Sequence, residues 1–203
     1  MAAAETARSL LEEIRSCTTC AASLAAGPRP VVQFSATSRL VIIGQAPSSR
    51  VHATGVPWHD ASGDRLREWT GLSPDEFYDA AKVALVPMGF CYPGRGRSGD
   101  LPPRRECAPR WHERVFSILK GRRLTLLVGS YAQVSYARRD GTKRSLTDEV
   151  RDFRSRNASF FSLPHPSWRS TIWMKRNPWF EAEVLPGLRA AVRDALEDRP
   201  SRA

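Results

Sequence analysis

The sequence predicts an α/β fold, in which helices cover both faces of a parallel β-sheet. Short apolar runs alternate along the chain with segments whose apolar residues recur at helical spacing, and such alternation is typical of parallel sheets. The chain has 203 residues, of which 41% are hydrophobic and 26% charged. That length and composition suit one well-buried globular domain. We therefore expect residues 1–203 to form a single domain.

Four apolar runs are predicted to be the strands of this sheet. Glycine bounds the first run at Gly44 and follows the third at Gly129, as expected where a buried strand gives way to a turn. In chain order, the predicted strands are residues 40–43, 83–88, 124–128 and 159–163.

Helices are predicted between and around these strands. The first, residues 2–16, has its apolar residues on one face. The second begins at Ser62 or Gly63. The third follows Ser73, because the next residue is Pro74 and proline is favoured in a first helical turn. The remaining predicted helices are one from Pro109 to Gly121, a short one after Ser130, and residues 146–153 and 186–196.

The chain carries a large positive charge. Its formal charge is +10, from 31 Lys and Arg against 21 Asp and Glu. The basic residues recur in segments 95–110, 138–144 and 175–176. Such a surplus favours a polyanionic partner, with nucleic acid the first candidate. The alternative is that the charge only keeps the protein soluble.

The first residues do not resemble a secretory signal. Arg8, Glu12 and Glu13 stand where a signal peptide needs an uninterrupted apolar core. No run of the chain approaches the ~20 apolar residues of a membrane span. We expect a cytoplasmic protein with no membrane partner, associated with the nucleoid if its partner is DNA.

The four cysteines fall into two pairs. Cys17 and Cys20 form a CxxC, and fifteen residues rich in Gly, Pro and Arg separate Cys91 from Cys107. In a reducing compartment, four such residues bind metal more often than they form disulfides. Zinc usually shows two short CxxC knuckles, whereas four thiolates from separated loops equally suit a [4Fe–4S] cluster. Four unrelated buried thiols are the remaining interpretation.

Two of the predicted strands end in motifs that carry polar and aromatic side chains. The first strand leads through the turn Gly44-Gln45-Ala46-Pro47 and a polar loop to Trp58, and the fourth ends at His165. An open α/β sheet binds its ligand beyond the carboxyl ends of its strands. We therefore expect the two motifs to face one crevice and to form an active site.

These motifs, in their order along the chain, resemble those of the uracil-DNA glycosylase superfamily. The resemblance depends on the Gly44–Pro47 turn, the loop of residues 54–58, the cysteine spacing and His165-Pro166-Ser167. It covers about three quarters of the chain, from Cys17 to Arg169. The pattern is similar to the iron–sulfur branch of the superfamily, the families numbered four and five.

The resemblance implies a three-layer α/β/α sandwich with a four-stranded parallel sheet. It also implies a [4Fe–4S] cluster on the four cysteines, and it favours iron over zinc. The implied activity is that of a monomeric, monofunctional DNA glycosylase of base excision repair, which flips a damaged base out of DNA and hydrolyses its N-glycosidic bond. The cluster would hold segment 95–105 against DNA and would take no part in electron transfer.

The resemblance assigns roles to two aromatic side chains. His165, between two prolines that restrict its backbone, corresponds to the histidine that donates to O2 of the departing base, where negative charge develops. Trp58 corresponds to the aromatic residue on which the flipped base stacks.

Other residues would complete the pocket. Gln45 is included among the catalytic residues and would line the base edge together with Gly44, Ala46 and Pro47. Ser167 and Arg169 would contact phosphate or the opened helix.

The residue that activates water is predicted to be acidic. Ala46 stands where some superfamily members have Asp, which leaves Asp60 and Asp64, and we favour Asp60. An acid before a helix is also a common N-cap. His52 is the alternative contact to base or water.

The sequence departs from the uracil-reading families at two places. Pro87 replaces an Asn on the second strand and has no side-chain donor, so Met88 or Gln45 would contact the base. Ser48 and Ser49 replace a Tyr that blocks the 5-position in some relatives. These changes make 5-hydroxymethyluracil a substrate candidate beside uracil. The alternative function is a catalytically inactive iron–sulfur protein that binds nucleic acid, which the replacements at 46 and 87 favour.

Overall fold

The computed structural model describes residues 5–97, 99–137, 144–153 and 159–197. In this part of the chain, four parallel strands form the main sheet in the order β2-β1-β5-β6, and β3 and β4 form a small antiparallel hairpin. The strands are β1 Leu40–Ile43, β2 Val83–Leu85, β3 Arg95–Gly96, β4 Gly99–Asp100, β5 Leu124–Val128 and β6 Phe160–Leu163.

Helices pack on both faces of the main sheet. They are α1 Ala7–Arg15, α2 Ser49–Thr54, α3 Ala61–Thr70, α4 Pro74–Tyr78, α5 Cys107–Ile118, α6 Ser130–Tyr136, α7 Leu146–Arg151, α8 Ser170–Arg176 and α9 Leu185–Leu196, with a 3₁₀ turn at Ala21–Ser23 and a π-helical turn at Phe180–Val184. None of the helices among the described residues has the length and apolarity of a membrane span.

Two apolar cores separate the three layers. Along β1 the side chains alternate, so Leu40 and Ile42 join the core beneath α3 and α9, whereas Val41 and Ile43 join the core beneath α1 and α5. All four residues are buried, as expected for a strand with both faces covered. The predicted three-layer α/β/α sandwich with a four-stranded parallel sheet is confirmed.

The second strand is shorter than predicted. It ends at Leu85, so the prediction of a strand up to Met88 was three residues too long. Hydrogen bonds toward β1 nevertheless continue, because the backbone N–H groups of Val86 and Met88 donate to the carbonyls of Ile42 at 3.0 Å and Gly44 at 2.9 Å.

Several short elements were not predicted. Helices α2 and α8 have 6 and 7 residues, which is too short for a clear apolar period. The hairpin of β3 and β4 lies in a segment that reads as an irregular surface loop. Helix α5 begins at Cys107 rather than after Pro109, because proline fits within a first helical turn. Residues 2–4 of the first predicted helix and 138–143 of the basic segments lie outside the described residues.

His112 is a buried polar residue that ties α5 to the end of β2. Its Nε2–H donates to the carbonyl of Pro87 at 2.9 Å, and its Nδ1 accepts from the hydroxyl of Tyr136 at 2.5 Å. The carbonyl can only accept, so these two bonds require the neutral Nε2–H tautomer. Burial lowers the pKa of His112 from 6.5 to about 4, although the Pro87 carbonyl opposes the shift.

We expect His112 to make the protein less stable in mild acid. The unfolded chain takes up a proton near the ordinary histidine pKa, whereas the folded chain takes it up near 4, so the free energy of unfolding falls as the pH drops through this window. A difference of this size corresponds to about 3 kcal/mol. Urea unfolding at a series of pH values measures it. The variant His112→Gln should show a smaller loss over the same window, and an equal loss would contradict this assignment.

Candidate active site

A cleft of about 810 Å³ opens at the carboxyl edge of the main sheet. Its walls come from the turn after β1, the segment between α2 and α3, the β3–β4 hairpin and the loop between β6 and α8. This edge is where open α/β sheets bind their ligands. Both strand-tip motifs therefore line the same cleft.

His165 stands in this cleft just beyond the end of β6. Its backbone carbonyl accepts a hydrogen bond from the hydroxyl of Ser170. On its other side is Gly129, where an added Cβ would lie 3.4 Å from the Cβ of His165. Burial lowers the pKa of His165, and the carboxylate of Asp60 opposes the shift. The imidazole is therefore neutral near pH 7.

Trp58 packs beside His165, with the two ring centroids 6.0 Å apart and the planes tilted by 31°. Its indole covers Gly44, where an added Cβ would lie 2.5 Å from Cζ2 of the indole. Its backbone has a φ of 55°, a left-handed conformation that is uncommon for a bulky residue. The first turn of α3 fits closely against it, because a Cβ on Gly63 would lie 1.7 Å from the Trp58 carbonyl oxygen. Because Gly44 and Gly63 have no side chains, the indole and the backbone of Trp58 pack tightly against them, and this packing fixes the indole in the cleft.

Asp60 is the N-cap of α3. Its Oδ1 accepts from the backbone N–H groups of Ser62 at 3.1 Å and Gly63 at 3.0 Å. Its Oδ2 accepts from the hydroxyl of Ser48 at 2.6 Å, and that hydroxyl in turn caps α2 by accepting from the N–H of Val51. A carboxylate has about four lone-pair sites. Three of those on Asp60 are already in use, so the side chain is held firmly with room for one further donor.

Gln45 connects the turn after β1 to the exit of the hairpin. Its side-chain Nε2 donates to the carbonyl of Leu101 at 3.2 Å, and its own carbonyl accepts from the N–H of Gly89 at 3.0 Å. The amide oxygen of the side chain keeps its accepting capacity. Gln45 thus positions one wall of the cleft in addition to lining it.

The structure brings most of the predicted site residues together. Those that line the cleft are Gln45, Ala46, Pro47, Ser48, Trp58, Asp60, His165, Ser167 and Arg169. Gly44 lies beneath the Trp58 indole. The other two predicted residues lie elsewhere: His52 packs against Tyr92 with ring centroids 6.0 Å apart, and Met88 lines a separate groove beside α6.

Other residues of the cleft were not predicted. Tyr92 and Asp100 both line it. Trp168 stands at its rim with 72% of its surface exposed. The sequence signal for Trp168 was its place directly after the histidine motif. The signal for Asp100 was weak, because a single acid in a basic, glycine-rich segment looks like part of a solvated loop.

The rim of the cleft is positively charged. Arg95 and Arg97 come from the hairpin and Arg169 from the loop after β6, and all three are exposed. The guanidinium of Arg169 lies over Gly99, where an added Cβ would be 3.0 Å from Nη1. Guanidinium groups at the edge of a concave site are suited to phosphate.

The four cysteines line one narrow cavity, which shares no lining residue with the cleft. The sulfur of Cys107 accepts from the backbone N–H of Phe90 at 3.2 Å. Burial raises the pKa of the Cys107 thiol to about 12 and that of Cys91 to about 11.

This cysteine cavity contains the ligand set of the predicted cluster, since all four cysteines line it. All four cysteines are free thiols. Among the described residues, no three Cys, His, Asp or Glu side chains are spaced as ligands of a metal ion.

The fold and the cleft define an α/β protein whose strand-tip pocket combines an aromatic platform, a neutral histidine and a basic rim, as a nucleotide base and its phosphates require. The model of the uracil DNA glycosylase superfamily matches residues 31–189, which is most of the chain. The protein belongs to this superfamily. Membership indicates a uracil-DNA glycosylase-like function with DNA as the substrate polymer.

Proposed function

We propose that this protein is a monofunctional DNA glycosylase that excises uracil or a 5-substituted uracil such as 5-hydroxymethyluracil. The observation that carries the proposal is the meeting of His165 and Trp58 in one cleft with an arginine rim. A flipped base stacks on the indole, and stacking contributes about 1–3 kcal/mol per base. We further propose that it acts on DNA as a monomer, in the cytoplasm at the nucleoid.

Cleavage of the N-glycosidic bond leaves negative charge on the departing pyrimidine, largely at O2. In the proposed mechanism, a ring N–H of His165 donates to this oxygen, and its lowered pKa suits a neutral donor. A neutral imidazole binds the developing anion without first having to lose or gain a proton. Such a pre-positioned donor acts mainly in the transition state.

Sugar and phosphates occupy the outer part of the cleft in this proposal. The fixed carboxylate of Asp60 lies close enough to His165 to affect its pKa and can stabilise positive charge on the sugar. Ser167 and Arg169 hold the backbone. The exposed indole of Trp168 is placed to contact the opened helix, where apolar side chains commonly enter the stack.

The base side of the pocket favours a uracil with room at its 5-position. Pro87 lines the cleft, but proline has neither a backbone N–H nor a polar side chain, so it supplies no donor to the base. Ser48 uses its proton on Asp60 and can only accept from a substituent. A 5-hydroxymethyl group could donate to it, which supports the second substrate.

We also propose that Cys17, Cys20, Cys91 and Cys107 hold a [4Fe–4S] cluster. When bound, it would supply structural cross-linking and no electrons, since glycosidic hydrolysis needs none. Cys91 and Cys107 flank the hairpin segment, so their attachment would fix Arg95 and Arg97 at the rim.

Loss of this attachment should release iron and weaken DNA binding. We expect the variant Cys107→Ser to lose visible absorption and iron content, and to bind an undamaged duplex more weakly than the parent protein. Thr18→Ser, an exposed change between the first two cysteines, is the control. Iron loss with full DNA affinity would contradict the role of the cluster at the rim, and zinc in place of iron would contradict its identity.

The proposed activity is tested on duplex oligonucleotides that carry uracil, 5-hydroxymethyluracil, a thymine mismatch or hypoxanthine. After incubation, alkali cleaves any abasic site. We expect strand breaks with uracil or 5-hydroxymethyluracil. A protein that binds these duplexes but produces no break with any base would instead be an inactive DNA-binding member of the family, which Ala46 and Pro87 favour as the second candidate.

A further inference from the structure

The hairpin that forms one wall of the cleft brings a second carboxylate to the site, on Asp100. This side chain belongs to no motif of the sequence. It lines the cleft together with Asp60 and His165, and its geometry and charge environment differ from those of Asp60.

Two hydrogen bonds of the residue that follows fix the backbone beside Asp100. The N–H of the next residue, Leu101, donates to the carbonyl of Gly94 at 2.9 Å, and the Leu101 carbonyl accepts from Gln45 at 3.2 Å. The preceding residue, Gly99, has a φ of 132°, which only glycine adopts readily. The position of the carboxylate is therefore built into the hairpin.

The charged and titratable groups that face Asp100 are Arg95 of its own hairpin, Asp60, Tyr92 and Arg169. The residue before Asp100, Gly99, lies against the guanidinium of Arg169 at the rim, where a phosphate would lie. The residue after it, Leu101, is bonded to Gln45, which would line the base edge. Asp100 thus lies between the rim and the base side of the cleft. In a nucleotide, the sugar lies between base and phosphate.

We propose that Asp100 is the residue that activates the attacking water. The inference rests on the proposed glycosylase function and assigns a catalytic residue within it. The water attacks C1′ of the deoxyribose as the bond from C1′ to the base nitrogen breaks, and the electron pair of that bond leaves with the base. Asp100 takes a proton from the water, and the product sugar keeps the hydroxyl.

Asp100 suits this role better than Asp60. Asp60 already accepts from two backbone N–H groups and a hydroxyl, so only one of its about four lone-pair sites remains for a water. Asp100 is partly exposed, yet partial burial raises its pKa, while Arg95 opposes the shift. A raised pKa makes a carboxylate a stronger base. Asp60 would then serve as the fixed negative charge beside the sugar.

The test is single-turnover excision by the full-length protein of whichever base the wild type removes. Asp100→Asn should lower the rate about 10²–10⁴-fold, without weakening DNA binding measured by fluorescence anisotropy. It should also abolish the acid limb of the pH–rate profile. The matched control is Asp75→Asn, an exposed acid in the first turn of α4, which should leave rate and profile unchanged.

A milder variant guards against local misfolding of the hairpin. Asp100→Glu keeps a carboxylate at this position, so it should retain an acid limb and lose less of the rate than Asp100→Asn. Wild-type rate in Asp100→Asn, or a slower rate with the wild-type acid limb, would overturn the assignment. If the wild type itself excises no base, the proposed function fails and this inference falls with it.

Discussion

Replacing His165 with alanine is expected to slow base excision about 10²–10³-fold, the effect of losing one pre-positioned oxyanion donor. The imidazole lies in the cleft beside Trp58 and is neutral near pH 7 because burial lowers its pKa. Its contribution is made when charge develops on the base, so DNA affinity should change little. Single-turnover rates and anisotropy titrations measure the two quantities separately.

The matched control is His59→Ala, because His59 is exposed and not among the residues that line the cleft. It should keep the wild-type rate. Equal rates for His165→Ala and the wild type would remove His165 from the mechanism. A parallel loss of affinity and rate would instead indicate that the residue only shapes the pocket.

Gly63→Ala is expected to lower both stability and activity, although alanine has a higher helix propensity than glycine. Alanine in a helix is favoured over glycine by about 1 kcal/mol. Here, however, the new methyl group would lie 1.7 Å from the carbonyl oxygen of Trp58. Either α3 or the Trp58 peptide must move, and overpacking of this kind typically costs about 1–3 kcal/mol. We expect a net loss of about 2 kcal/mol, the upper end of this cost less the gain in helix propensity. Excision should also be slower because the indole is displaced.

Urea unfolding and single-turnover excision measure the two effects. The control is Gly121→Ala, where nothing lies within 4 Å of an added Cβ. A Gly63→Ala protein as stable as the wild type would mean that the contact between α3 and Trp58 relaxes at little cost. It would also remove the argument that Gly63 fixes the indole.

The main sheet and its edge could be predicted from sequence because each strand is a short, mostly apolar run. Strand β5, LTLLV, is buried at every position, and a parallel sheet places its ligand-binding loops at one edge. That rule brings Trp58 and His165 together although 107 positions separate them (165 − 58). The family resemblance supplied their proposed roles, which composition alone does not contain.

The hairpin could not be predicted because its two strands have two residues each. Its conformation depends on glycines with positive φ and on the tie from Gln45, which are tertiary features. For the same reason the sequence predicted Gln45 as a catalytic residue at the base edge but did not predict its hydrogen bond to the carbonyl of Leu101. The N-cap geometry of Asp60 was foreseeable from its position before α3, but its bond to Ser48 was not.

The hydrogen bonds of His112 have a consequence for the choice of base. Helix α5 begins at Cys107, in the cysteine cavity, and through His112 it holds the carbonyl of Pro87 on the base side of the cleft. A rigid helix moves as a unit, so a disturbance at its first residue also shifts the wall that a flipped base would meet. The state of the cysteine cavity would therefore tune which bases are accepted, at a distance and without any contact to DNA.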